Sequence, residues 1–463
     1  MRDDDGITRR DFLGSVAAAT VGVQAIPRQP KPSTGSGTSQ PNPNPAPNPT
    51  GKALLTKDDF KYAGLFTLPG GDTKMGFSNG AIAGRRVGGE VRLFVAGGKP
   101  SGDPVSEVVY PGTLGRDPLS APRAKLFRAW GDVYSNKRAT QTGGGILTRG
   151  LLWANDQLYW AFGDEYNVAG LHDPSIGTTV LNADGSMRTY GPWRTSETSQ
   201  KTRGYMVTLP SWFQQYTSGS NVAVGGPISS GNASSPWGAM LMAAKFPNNS
   251  TPADKIADSH STIDCQRLVY RDMDHKQKRD TNYKFCGWNQ QYDCSKGTWT
   301  KPGTPEFNSI DMMSAAAWID LPNKHGVVFL GQLSTAIQGY AYGGGDTLPH
   351  FWYGPNVCCH GQSGAPASQS TGEATGSSVP YVWIYDPNDL AQAAQKKTDP
   401  WGYEPTSVFP AYSIGNITNR AGALYFFGGA WFDPDSRSLF VSEIYADSFA
   451  GEPLPVIHVF NIT

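Results

Sequence analysis

The stretch Trp153-Ala-Asn-Asp156-Gln-Leu158-Tyr159-Trp160-Ala-Phe-Gly163 decides the fold. It reads as a strand, a turn and an aromatic-rich second strand. The plan recurs in Trp318-Ile-Asp-Leu-Pro322-Asn-Lys-His-Gly326-Val327-Val-Phe329-Leu-Gly331, with a longer turn. It recurs again in Trp431-Phe-Asp433-Pro-Asp435-Ser-Arg-Ser-Leu439-Phe440-Val441-Ser442. An earlier copy, Ala81-Ile-Ala-Gly84 through Leu93-Phe94-Val95-Ala-Gly97-Gly98, lacks the Trp. Ser235-Pro-Trp237-Gly-Ala-Met-Leu241-Met reads as a weaker fifth copy. Small residues precede the first strand of each strong copy. One hairpin cannot cover both of its apolar faces, but neighbouring hairpins in a ring can, and a ring leaves few exposed edges. Small residues suit first strands that converge on a crowded axis. The expected fold is therefore all-β: a β-propeller, five-bladed, with long loop insertions.

Working outward, the copies lie about 70 to 115 residues apart, against about 40 to 50 for ordinary propeller repeats. A four-stranded blade with one long insertion accounts for that. Gly (55) and Pro (35) are plentiful and charged residues make up only 17%, as a turn-rich β protein requires. The polar segment at about 254–305 reads as a surface insertion. Asp389 to Lys397 reads as a short helix capped by Asn388 or Asp389, with Lys396 and Lys397 at its C-terminal dipole. Residues 53–463 form the expected propeller domain. Residues 27–52, rich in Pro, Gly, Ser and Asn, read as a disordered linker that cannot bury a core.

Residues 1–26 read as a twin-arginine export signal. Arg9 and Arg10 are followed by Asp11-Phe12-Leu13 and a short apolar run to Ile26, too short to span a bilayer. The expectation is a protein exported folded by the twin-arginine translocase, periplasmic or extracellular, with no membrane span in its mature form. The formal net charge of zero gives no basic groove for nucleic acid.

Five cysteines are disulfide candidates in an oxidising compartment: Cys265, Cys286, Cys294, Cys358 and Cys359. Cys286 and Cys294 could close a short loop. Cys358 and Cys359 could bond to each other or pair with Cys265. No cofactor motif is present and no metal site is expected, although an ion such as Ca²⁺ could fill the axial channel.

The second strands end in Gly163-Asp164-Glu165-Tyr166 and Ser442-Glu443-Ile-Tyr445, which places acids where apolar strand ends are expected. Asp164, Glu165 and Glu443 are the candidate catalytic carboxylates. Glycoside hydrolysis needs two carboxylates across a cleft, one as general acid and one as base or nucleophile. His172, Trp193, Arg194, Trp352 and Tyr353 are candidate substrate-binding residues on loops. The rings of Trp193, Trp352 and Tyr353 would stack on sugar faces, while His172 and Arg194 would shape or charge the same rim.

Leu158 to Tyr166, followed by Pro192-Trp193-Arg194-Thr, resembles five-bladed propellers related to arabinan-cleaving glycoside hydrolases. The resemblance covers about 40 residues and implies Asp164 in an acidic catalytic set acting on furanosides or related glycans. The expected function is glycoside hydrolysis on a polysaccharide, favoured over a polysaccharide lyase in which His172, Tyr166 and Arg194 would do the work. The alternative is a non-catalytic glycan-binding or adhesion module. A quinone-dependent redox propeller is a more distant third.

Overall fold

The computed structural model describes residues 50–71, 73–98, 102–136, 146–164, 171–226, 236–247, 262–272, 312–334, 378–400, 405–417, 426–449 and 452–463, with Tyr403 and four two-residue strands between 285 and 308. These residues belong to the unit Asn44–Thr463. The signal (Arg9, Arg10), most of the linker, Glu165, Trp352 and Tyr353 lie outside the described residues.

After β1 (Ala53–Leu54) and β2 (Phe60–Thr67), the first blade is β3 (Ile82–Val87), β4 (Glu90–Ala96), β5 (Val105–Val109) and β6 (Lys125–Gly131). The second is β7 (Ile146–Ala154), β8 (Gln157–Asp164), β9 (Ile176–Leu181) and β10 (Met187–Thr195). The third is β11 (Met206–Thr208), β12 (Val222–Val224), β13 (Pro236–Ala244) and, after β14 (Thr262–Ile263), β15 (Cys265–Asp272). The short strands β16 (Phe285–Cys286), β17 (Tyr292–Asp293), β18 (Thr298–Trp299) and β19 (Phe307–Asn308) form two separate pairs. The fourth blade is β20 (Met312–Asp320), β21 (Lys324–Ser334), β22 (Ser378–Tyr385) and β23 (Ser407–Pro410). The fifth takes β24 (Phe427–Asp433), β25 (Ser438–Phe449) and β26 (Glu452–Ile462) from the C-terminus and its outermost strand, β2, from the N-terminus.

The inner strands close a ring: β3 lies against β7, β7 against β11, β11 against β20, β20 against β24 and β24 against β3. The fold is a five-bladed β-propeller. Pairing of β2 with β26, from Phe60↔Ile462 to Thr67↔Val456, shuts the ring through backbone hydrogen bonds.

The core is correspondingly divided into five seams. Phe94, Leu151, Trp160 and Phe162 fill the seam between blades one and two, and Tyr159, Trp193, Met206 and Val222 the next. Tyr205, Trp318, Phe329 and Trp383 fill the third and Ala315, Val328, Val441 and Phe460 the fourth. Leu93, Val95, Phe440 and Val459 close the circle. Burying each Val, Leu, Met or Phe side chain among them stabilises the fold by about 1.5–3 kcal/mol. The repeated tryptophans act across or along these seams. Trp153 stacks on Phe94 of the preceding blade at 5.3 Å, and Trp318 meets Phe213 of its preceding blade at 4.7 Å. Trp431 covers Gly84 of the first blade, where a Cβ would run into the indole.

Four of the five repeat copies are the inner hairpins of blades one, two, four and five. The fifth is different. Pro236–Ala244 is the third strand of blade three, and the inner hairpin there is β11–β12, whose two strands carry no Trp, the nearest being Trp212 in the connection between them. A helical turn, Ser211–Gln214, interrupts that hairpin and hides it from a strand–turn–strand reading. The segment expected as a surface insertion also contributes to a blade, because Cys265–Asp272 pairs with β13 as its outermost strand. The short helix runs over Pro387–Ala394 rather than to Lys397. Its N-cap is Asp386, whose side chain accepts from the Asn388 N–H, and Pro387 occupies the first turn, where a missing N–H costs nothing.

Candidate functional site

All five inner strands carry the same irregularity at the same end. In blade two the register slips between Thr148 and Gly150, in blade four between Met313 and Ala315, and in blade five between Phe427 and Gly429. Each slip inserts one extra residue, Arg149, Ser314 and Gly428 respectively. In blade one the bridge Ser78↔Gly98 and the pair Ile82↔Val95 enclose three residues on the inner strand against two on its partner. In blade three the Gly204 N–H donates to the Gly225 carbonyl while the Gly225 N–H donates to the Tyr205 carbonyl, again two residues facing one. A β-bulge redirects side chains and frees backbone from the ladder, and such bulges concentrate beside functional sites.

The bulges bring neighbouring blades into contact near the axis. A Cβ on Gly428 would strike the Asn79 carbonyl and Gly80, and one on Gly150 the Gly204 carbonyl. Gly80 itself has φ +74°. Only glycine fits these crossings.

Polar side chains gather at this level. Asn79, Thr148, Arg149, Arg203, Ser314, Gln332, Ser442 and Glu443 are all buried. Asn79 Nδ2, Thr148 Oγ1, Gln332 Oε1 and Ser442 Oγ have no hydrogen-bond partner. They come from blades one, two, four and five. Buried polar atoms are nearly always paired, so four unpaired ones within two residues of the bulges, spread over about 7 Å along the strands, mark a region where a polar partner belongs. Asp103, held with φ +49°, accepts the Thr148 N–H at 2.8 Å and fixes the start of β7. Arg203 donates to the Gly163 carbonyl at 3.2 Å and packs its stem against Gly163, one residue before Asp164.

Asp164 ends β8 opposite Ile146 and is half-buried. Glu443 faces Phe427, the residue just before the bulge in its blade, whereas the corresponding position in blade two is Phe162, opposite Thr148. Measured from the bulges, Glu443 therefore lies two residues deeper than Asp164, about 7 Å along the strand. The two acids share one axial end but do not occupy matching strand ends. Glu443 is 2% exposed, and its Oε2 is 2.7 Å from His458 Nε2. The other ring nitrogen of His458 lies 3.1 Å from the Tyr62 hydroxyl. A hydrogen-bonded chain thus crosses blade five from its outermost strand to its second.

The binding candidates separate on inspection. His172 is exposed, with Nδ1 3.2 Å from the Thr195 carbonyl, and Arg194 is exposed on β10. β10 is the fourth strand of blade two, with the short β14 paired outside it at Arg194↔Thr262, so Arg194 stands two strands, about 10 Å, outside β8 and belongs to the outer part of the blade. Trp193 departs from expectation. It lies in a strand rather than a loop, is 1% exposed, and packs edge-on to Phe246 at 5.9 Å. The alternation of β10 turns it into the seam while Arg194 points out, so its ring cannot stack on a ligand.

The connection from blade two to blade three carries charges inward. Glu197 accepts from the Tyr270 hydroxyl at 2.6 Å and from Arg267 Nε at 2.7 Å, and Lys201 Nζ donates to the Tyr270 hydroxyl at 2.8 Å. This network ties the crossing segment to the outer strand of its blade. Cys265 is a free thiol, pushed up to about 12 by burial and by the charges of Glu197 and Asp264. The alternative that pairs Cys265 with Cys358 or Cys359 falls on residues outside those described. Of the other cysteines, Cys294, Cys358 and Cys359 lie outside the described residues, and for Cys286 only the backbone is described. Among the described residues no group of three His, Cys, Asp or Glu side chains is placed to hold a metal ion.

Asn79, Thr148, Arg149, Gln332, Ser442 and His458 carry no motif and were not legible as site residues. The extra residue in each inner strand was the available signal, visible as Asn79-Gly80, Arg149-Gly150 and Gly428-Gly429.

No protein-family model matches the chain, and no curated protein is similar to it in sequence. Among solved structures, a protein from Parabacteroides distasonis provisionally assigned as a glycoside hydrolase is 11% identical, with a TM-score of 0.34 over 91% of this chain and 96% of its own. A member of the DUF4221 family from Bacteroides vulgatus is 9% identical, at a TM-score of 0.32 over 87% and 98%. A luciferin-regenerating enzyme is 5% identical, at 0.28 over 81% and 74%. Likeness at this level carries no functional argument.

Proposed function

We propose that this chain is an exported carbohydrate-active enzyme that hydrolyses glycosidic bonds at the axial end where its inner strands are bulged. The observation that carries the reading is the set of four buried, unpartnered polar atoms on Asn79, Thr148, Gln332 and Ser442. Sugars present hydroxyls in many directions, and amides and hydroxyls drawn from four blades suit them. Asp164, half-buried at the rim, acts as the acid–base or nucleophilic carboxylate, because it stays partly open to solvent. Glu443, deeper and held by His458, is the second carboxylate. Glu165 stays a candidate beside Asp164. Export by the twin-arginine translocase to the periplasm or beyond goes with this reading, since a ring whose last blade needs its first strand is best closed before transit. Ca²⁺ at the axis remains part of the proposal, since that ion takes oxygen ligands.

A second reading has its own support. Glu443 is buried against a histidine inside one blade, as in a structural network, and that favours a glycan-binding module without catalysis. A panel of plant, algal and bacterial polysaccharides separates the two. Hydrolysis releases new reducing ends from at least one of them. Saturable binding with no release on any polysaccharide would overturn the enzyme and leave the binding module.

A further inference from the structure

Away from the axial end, a concavity of about 950 Å³ opens between the outer strands of blade three and the C-terminal end of the helix Pro387–Ala394. We propose that it is a second ligand site, for an anionic oligosaccharide carrying carboxylate or sulfate groups. The proposal rests on the carbohydrate reading above for the sugar part of the ligand, and on the groove itself for the charge.

Four cations line it, Lys245, Arg267, Lys396 and Lys397, against two carboxylates, Asp264 and Asp399. They come from two blades, so their convergence is a product of the fold and not of one basic run. Arg267 is engaged by Glu197 at 2.7 Å. No carboxylate among the described residues lies within ion-pair distance of Lys245, Lys396 or Lys397. Like charges gathered around one concavity repel, and an anion relieves that repulsion. The Thr398 hydroxyl in the same wall is buried and unpartnered. The described lining is polar and charged rather than aromatic, which suits a charged ligand.

The helix end supplies the most specific sign. The Lys397 N–H bonds back to the Gln392 carbonyl and the Lys396 N–H to Ala393, a closing turn that places Lys396 at φ +57°. Glycine is the usual occupant of that position because it alone takes the left-handed conformation without steric cost. The chain keeps a strained lysine there and so directs a cation to the groove. Part of its benefit lies in facing the helix C-terminus. That does not account for Lys245, which comes from the end of β13 on the other side.

Calorimetry on the full-length chain tests the site with three tetrasaccharides of equal length, one uronic, one sulfated and one neutral. The expected result is binding of either or both anionic sugars at least tenfold tighter than the neutral one, weakening steeply with salt. Tighter binding of the uronic or of the sulfated sugar tells which anion the groove takes. Lys396→Gly is the decisive variant, because it removes the charge and relieves the backbone. It should lose at least fivefold in affinity while its Tm is unchanged or higher. Lys245→Ala should weaken binding from the other wall. Equal binding of all three sugars, or unchanged affinity in Lys396→Gly, would overturn the proposal. Release of reducing ends is measured separately, so failure of the groove and failure of the axial enzyme are told apart.

Discussion

Arg86 on the first blade reaches Asp433 on the fifth, its Nε 3.0 Å from one carboxylate oxygen, across the junction that closes the ring. Burial alone would raise the Asp433 carboxyl, but the hydrogen bonds from Arg86 and Ser436 overcome it and hold the group below its ordinary range. A carboxyl with a depressed folded pKa stabilises the protein above its unfolded value, near pH 4, and that stability is lost as pH falls through the folded value. Arg86→Met leaves the Asp433 carboxylate, 1% exposed, without its cation. We expect a loss of about 2 kcal/mol in urea unfolding at pH 7, below the ~3–5 of a fully enclosed pair, because the Arg86 side chain is 28% exposed. The loss should shrink below pH 4. At this scale the sequence was least legible. Asp433 and Asp435 read as turn formers, and nothing in their neighbourhood announced a partner 347 residues away in the chain. Trp193 misled in the opposite sense, since an aromatic beside Gly191-Pro192 reads as a loop ring until the strand alternation is known.

Inner strands and one helix carry the predictions that belong to whole elements. The bulged inner strand of blade five passes Asn79 and Gly80 so closely that Gly428→Ala must displace backbone, which side-chain rotation cannot relieve. Overpacking of this kind costs about 1–3 kcal/mol, read as a lower urea midpoint with unchanged slope. In the helix Pro387–Ala394, Asp389 is pushed up to about 6 by burial and then by the charge of Asp386. A carboxyl whose folded pKa is raised weakens the fold as pH climbs from about 4 to about 6, and the penalty persists above that. Asp389→Asn should therefore stabilise the protein by about 1 kcal/mol at pH 7, discounted for the group's partial exposure, with no gain at pH 4. Four inner hairpins were legible because their period-two patterns end in turn formers and their tryptophans fill seams. Blade three was not, because its inner strands are three residues each and a helical turn separates them. The helix was legible as a helix, but its cap was displaced, since Asp386 precedes a proline that itself begins the first turn.

For the whole molecule, closure organises everything else. Blade five borrows β2, so the two ends of the described chain are hydrogen-bonded neighbours, with the Thr463 N–H on the Asp59 carbonyl at 3.1 Å. The ring points all five bulged strand starts at one axial end, and that convergence, invisible in any single repeat, assembles the candidate site. The five-bladed ring could be read from the repeats, whereas the level at which residues from different blades meet depends on single-residue slips in register. That is why Asp164 and Glu443 looked equivalent in sequence and lie at different depths. The most direct measurement is the rate of reducing-end release by Asp164→Asn on a polysaccharide the wild-type protein cleaves, with Tm measured alongside. The account predicts a fall in kcat of at least about 100-fold, the scale of a lost acid–base group, with Tm unchanged. Wild-type turnover in that variant would contradict it.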